Sequence, residues 1–121
     1  MRKKILFITI VFLLLPLLVI LSVLHKTFQK SPTHLIILEE TGYSPQQITI
    51  NKGDTIEFKT THGKPFWPAS DLHPTHGIYP EFDPQEPIDP DKSWSFTFKK
   101  SGSWRFHDHL SPFYRGTIIV K

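Results

Sequence analysis

The sequence predicts an all-β domain, a sandwich or barrel of antiparallel strands, preceded by one N-terminal transmembrane helix. Three observations carry this. Residues 5–24, ILFITIVFLLLPLLVILSVL, are almost wholly apolar over 20 positions, about what a helix needs to cross a bilayer core. Downstream, short segments such as TIEFKTT and SWSFTFKK alternate apolar and polar residues, the period of a half-buried strand. Turn clusters separate them, and no amphipathic helical pattern intervenes.

The apolar run is preceded by MRKK. Basic residues beside an apolar helix stay on the cytoplasmic side, so the N-terminus is expected inside and the rest of the chain on the extracytoplasmic face. The run is longer than the 7–15 residues of a signal-peptide core, and LSVLHKTFQK offers no A-x-A-like cleavage site. A retained anchor is therefore expected in preference to a cleaved signal. Pro16 is compatible with a membrane helix. The expected organisation is residues 1–25 as basic cap and anchor (or uncleaved signal), 26–33 as linker, and 34–121 as the β domain.

Of the 14 Lys and Arg residues, Arg2, Lys3 and Lys4 precede the apolar run, and the remaining 11 equal the 11 acidic residues, all of which follow residue 25. The outer domain is formally neutral, so the pI near 9.2 gives no argument for nucleic-acid binding. The chain has no cysteine, which excludes a disulfide brace and a thiolate metal ligand.

Along the domain, HLIILEE (residues 34–40) reads as a nearly continuous apolar strand, and TGYSPQQ as a turn. ITI (48–50) is a strand ending at NKGD, and TIEFKTT (55–61) places Ile56 and Phe58 on one face. Seven prolines between Pro65 and Pro90 then mark an irregular excursion, since proline removes ladder donors. Long aromatic-bearing loops of this kind are often functional. Regularity returns with SWSFTFKK (93–100), where Trp94, Phe96 and Phe98 share a face. SWRFHDHL (103–110) sets Trp104 and Phe106 on one face and Ser103, Arg105, His107 and His109 on the other. RGTIIVK is the last strand.

Two histidine pairs stand out. His107 and His109 are two apart, so on a strand both imidazoles point to one side and could share an ion. Imidazole is the commonest protein ligand for zinc and copper near neutral pH. His73 and His76 flank Pro74 in HPTHG, where a loop near one helical turn would bring them together, and proline lowers the entropy lost on fixing it. Each pair alone also reads as a polar strand end or an exposed loop. His25, His34 and His62 read as non-ligands, with His62 in reserve. Trp67, Trp94, Trp104, Phe96, Phe98 and Phe106 read as core.

The segment YSPQQITINKGDTIEF, followed by GSWRFHDHLSPFYRGTIIV, resembles a cupredoxin domain over residues 43–121. That resemblance implies a Greek-key antiparallel β-sandwich with a copper site at one end. The blue-copper ligands are missing: there is no Cys, the only Met is Met1, and Phe66 stands where the upstream His of that site falls. A type 1 blue site is thereby excluded. FHDHLSP instead resembles the His-x-His hairpin of multicopper oxidases, and HPTHG resembles, more loosely, their upstream His-x-His-Gly. This implies that His73, His76, His107 and His109 converge on one ion, copper first and zinc as the alternative. Oxidase activity is not implied by one domain without Cys.

Asp71, Glu81, Asp83 and Asp108 are available as an extra ligand or as acceptors that fix imidazole tautomers. Asp108 should face away from the histidine side of a regular strand, either behind the ligands or on the surface. Tyr79, Phe82, Phe113 and Tyr114 could shield a metal edge, with Phe113 and Tyr114 near the family's axial position. Three functions fit these residues. The first is an extracytoplasmic copper-binding protein with a redox or copper-transfer partner, for copper handling or electron transfer. The second is a metal-free interaction module that binds a partner through the proline-rich loop. The third is a small metalloenzyme with an open coordination position, for which no separate acid or base stands out.

Overall fold

In the computed structural model, residues 31–121 are described, together with Pro16 and Ile20. The expected membrane helix over residues 5–24, the basic cap and His25 lie outside the described residues. Among the described residues no helix is long and apolar enough to cross a membrane.

Eight strands make up the domain: β1 (Thr33–Glu39), β2 (Gly42–Ser44), β3 (Gln47–Ile50), β4 (Thr55–Thr60), β5 (Pro68–Ser70), β6 (Trp94–Thr97), β7 (Gly102–Asp108) and β8 (Ser111–Val120). They form two four-stranded sheets, ordered β2-β1-β4-β6 and β3-β8-β7-β5. The alternating residues read from sequence supply the core between them. Ile36 and Leu38 enter from β1, Ile56 and Phe58 from β4, Phe106 from β7, and Ile118 and Val120 from β8. Burying this face is the main favourable term in the fold. Phe98, Phe66, Phe82 and Tyr79 complete the core from outside the strands.

The expectation of antiparallel pairing throughout is corrected at two places. β1 pairs parallel with β4, from Thr33↔Thr55 to Leu38↔Thr60, and β3 pairs parallel with β8. Parallel neighbours need a crossover connection. Here β2 and β3 supply one, because the chain leaves the first sheet after β2, lays β3 into the second, and returns as β4. Sequence alternation reports which face of a strand is buried and carries no information on strand direction.

Two short strands also escape the sequence reading. β2 lies within the segment read as a turn, and β5 lies within the proline-rich excursion. Pro68 opens β5, where a missing N–H is tolerated, and the pairs Pro68↔Asp108, Ala69↔His107 and Ser70↔Phe106 set β5 against β7. Gly116 is required where β8 crosses the core: a Cβ there would run into the Phe106 ring and lie 2.8 Å from the Gln46 carbonyl.

Candidate metal centre

The site is built by the end of β5 and the end of the β7–β8 hairpin. Because Ala69 pairs with His107, the chain leaving β5 passes directly over the end of β7. Asp71 keeps the connection in register, its N–H donating to the Arg105 carbonyl at 2.9 Å. The loop then folds back on itself. His76 N–H donates to the Leu72 carbonyl (2.6 Å) and Ile78 N–H to the Asp71 carbonyl (2.8 Å). Ser70 Oγ donates to the His76 carbonyl at 2.7 Å. His76 itself adopts φ of 52°, a left-handed conformation uncommon outside glycine.

On the opposite side, β7 loses its regular register between His107 and Asp108, and the hairpin closes through a turn at His109 and Leu110. His109 is therefore past the strand end. Its N–H donates to the Trp67 carbonyl at 2.7 Å, which holds the turn against the residue preceding β5.

These constraints bring both histidine pairs together. One nitrogen from each of His73, His76, His107 and His109 lies within 4.8 Å of the others. His73 Nδ1 is 3.2 Å from His107 Nε2, and His76 Nε2 is 2.9 Å from His109 Nδ1. Behind the ring of His107, Nδ1 is 2.9 Å from Asp71 Oδ1, and behind the ring of His76, Nδ1 is 2.6 Å from Asp83 Oδ2. A neutral imidazole has one N–H. With each Nδ1–H donating to its carboxylate, Nε2 of His76 and of His107 carries a lone pair facing the centre. This is the carboxylate–histidine arrangement that orients metal ligands.

The electrostatics favour neutral, ligand-ready rings. Burial lowers the pKa of His107, as do His76 and His73, against the opposing pull of Asp71. Burial likewise lowers the pKa of His109, reinforced by His76 and His73. For Asp83, burial pushes upward, but hydrogen bonds from His76, Gln85 and Trp67 leave its pKa lowered. Asp71 is nearly buried and is flanked by Arg115 Nη1 at 3.3 Å and Arg105 Nε at 3.6 Å.

The donor set fits a divalent ion. At metal–nitrogen bonds of about 2.0–2.1 Å, neighbouring donors stand about 3.3 Å apart on a tetrahedron and about 2.9 Å apart in a square plane. The two close nitrogen pairs, at 2.9 and 3.2 Å, fall in that range. The widest separation, 4.8 Å at most, would have to close by about 0.7 Å to match opposite corners of a square plane and by about 1.5 Å for a tetrahedron.

Of the four carboxylates named from sequence, Glu81 stands clear of the cluster and Asp108 lies behind it. Glu81 is exposed and paired with Lys100 at 2.9 Å, because its side of the loop faces solvent. Asp108 points away from the imidazoles as expected, and of the two positions open to it, behind the ligands or on the surface, it takes the buried one. It accepts from the Trp67 N–H at 2.5 Å and from the Ser111 backbone, and burial raises its pKa. The proposed aromatic shield is also corrected. Tyr79 and Phe82 belong to the core, while Phe113 is 74% exposed and packs on Tyr114. His62 accepts from the Lys64 N–H, and His34 bonds to Asp54.

Trp67, read as core, is a site residue instead. Its ring lies 4.5 Å from that of His109, and Nε1–H donates to Asp83 Oδ1 at 2.8 Å. Nothing distinguishes it in sequence from the neighbouring Phe66, which is fully buried.

Comparison with known proteins places the chain in a family. The sequence matches the cupredoxin-like domain family over residues 9–120, and the chain belongs to that family. Among solved structures it is similar to a purple cupredoxin from Nitrosopumilus maritimus, with 17% identity and a TM-score of 0.59 over 73% of this chain and 99% of that one. It is also similar to a reduced amicyanin variant, with 18% identity and a TM-score of 0.63 over 78% of this chain and 95% of that one. A Cu(I) amicyanin variant aligns with the same identity, coverage and TM-score. At such identities the likeness concerns the fold. No curated protein matches the sequence.

Proposed function

We propose that this is a membrane-anchored, extracytoplasmic copper-binding protein with an all-histidine, non-blue site formed by His73, His76, His107 and His109. The observation that carries the reading is the convergence of four imidazole nitrogens within 4.8 Å, with His76 and His107 each backed by a carboxylate. Copper is favoured over zinc because the domain is cupredoxin-like and contiguous imidazoles suit Cu(II). When bound, the ion would supply a Lewis-acidic, redox-capable centre. The chain's own residues supply the rest. Asp71 and Asp83 hold the N–H of His107 and His76 outward, and Trp67 covers His109.

The role is copper handling in preference to fast electron transfer. Cu(I) favours soft sulfur ligands and Cu(II) accepts imidazoles, so an all-nitrogen site reorganises when the oxidation state changes. A redox or copper-transfer protein is the partner class this role needs. Residues 5–24 would hold the domain at the outer face of the cytoplasmic membrane.

The test is metal titration of the full-length chain in detergent. It should bind one Cu(II) per chain, with a type 2-like electron paramagnetic resonance signal and no intense blue absorption. No copper bound at low micromolar concentration would refute the reading, and preference for zinc in direct competition would refute the choice of metal. Carbonate-resistant association with membranes, with the β domain protease-accessible from outside, tests the placement.

A further inference from the structure

The four imidazoles are held very unequally. His107 is fully buried and His76 is 5% exposed, and each has a carboxylate behind its ring. His109 is half-buried, tied through its N–H to Trp67 and covered by the Trp67 ring. His73 is exposed. Among the described residues neither its N–H nor its carbonyl is hydrogen-bonded, and its ring has one polar contact, to His107 Nε2. That nitrogen faces the centre of the cluster. An ion bound there would take the lone pair that His73 now uses, so His73 would be held by the ion alone.

Its neighbours restrain it through the backbone alone: the Leu72 carbonyl accepts from the His76 N–H at 2.6 Å and from Thr75 Oγ at 3.5 Å. Leu72 is 58% exposed, whereas the far end of the loop is pinned by Ser70 Oγ to the His76 carbonyl and by Ile78 N–H to the Asp71 carbonyl. The loop backbone is thus closed across His73, while the His73 side chain projects from it with no carboxylate or backbone partner.

On the reading that the cluster binds copper, we propose that His73 is its exchangeable ligand, and that the site loads and unloads on the His73 side. His76, His107 and His109 form a fixed three-nitrogen floor. Transfer proceeds when a nitrogen or sulfur donor of a second protein takes the position of His73 Nδ1. The bond to His73 breaks as the bond to the incoming donor forms, and the charge on the ion does not change. Exposure puts His73 within reach of a partner, and its lack of other bonds lets it leave without disturbing the floor.

The experiment compares the full-length chain with His73→Ala and His107→Gln, each loaded with one equivalent of Cu(II). His73→Ala should still bind one ion, with affinity lowered by about tenfold, and should surrender it to excess chelator at least about tenfold faster; His107→Gln should lose about 100-fold or more in affinity. Equal losses in both variants, or unchanged release from His73→Ala, would overturn the proposal. A second measurement does not depend on the buried variant folding. Diethyl pyrocarbonate with mass mapping on the copper-loaded parent should modify His73, which leaves the ion at times, while His76 and His107 stay protected. Equal protection of all three would overturn it. Failure of the parent to bind copper at all is a different result, and it would refute the metal reading on which this proposal rests.

Discussion

The carboxylate of Asp83 receives hydrogen bonds from the His76 ring, the Trp67 indole and the Gln85 amide. It therefore fixes one imidazole of the cluster and one covering aromatic at once. Asp83→Asn keeps the shape and removes the charge, and it should lower copper affinity about 10–100-fold with the fold retained. A chelator competition titration measures this. Glu81→Gln, two residues away, should leave affinity unchanged, since Glu81 engages only Lys100 at the surface. A pH effect also belongs to single residues. The pKa values of His107 and His109 are lowered from 6.5 in the folded chain. Above 6.5 both states hold these rings neutral, and below it the unfolded chain takes up protons first. The metal-free protein should therefore lose stability as pH falls from about 6.5 toward the lowered values. Removing one such group in His109→Gln should flatten that loss, as urea melts at each pH would show. The residue types that could serve as donors were legible: His73, His76, His107, His109, Asp71 and Asp83 all lie at the site. Trp67 was not, because an indole in a loop carries no mark of whether it faces the core or a ligand. Glu81 was misplaced because nearness in sequence says nothing about which side of a loop a carboxylate faces, whereas Asp108 faces away from the imidazoles as strand alternation predicts.

β5 is only three residues long, yet it determines whether there is a site. Its pairing with β7 carries Asp71, His73 and His76 over His107. In sequence it is hidden among prolines, which rightly argue against a central strand and leave room for a short edge strand opened by Pro68. The long alternating strands were legible for the opposite reason: in β4 and β7 the burial of Ile56, Phe58 and Phe106 follows directly from period-2 patterning. Where the pattern breaks, at the irregularity after His107, the strand reading still put His107 and His109 together although His109 lies in the turn. The β7–β8 hairpin depends in turn on close packing at Gly116. Gly116→Ala would push a methyl into the Phe106 ring and the Gln46 carbonyl. Overpacking of this kind costs about 1–3 kcal/mol, so the midpoint of urea unfolding should fall. Because Phe106 is adjacent to His107, copper affinity should weaken alongside it.

At the scale of the whole domain, stability rests on one shared aromatic and aliphatic core, since no disulfide is available. The site joins segments more than 30 residues apart: His73 meets His107 and His76 meets His109. A ligand that binds only the folded chain stabilises it in proportion to the logarithm of its free concentration over Kd. The unfolded chain keeps its histidines but not their convergence, so its affinity is lower. With free copper about 100-fold above Kd, the gain is about 2.7 kcal/mol. For a domain of this size each kcal/mol moves Tm by roughly 4–8 °C, so copper should raise Tm by about 10–20 °C. Calorimetry of the full-length chain without copper and with free Cu(II) buffered about 100-fold above Kd reads this directly. Asp71→Asn tests whether the gain comes from the assembled site, because that carboxylate holds His107 while remaining outside the ring of donors. Its metal-free Tm should shift only modestly, and its copper-induced rise should shrink in step with its affinity. A full rise with the site so weakened would mean that the ion binds elsewhere on the chain.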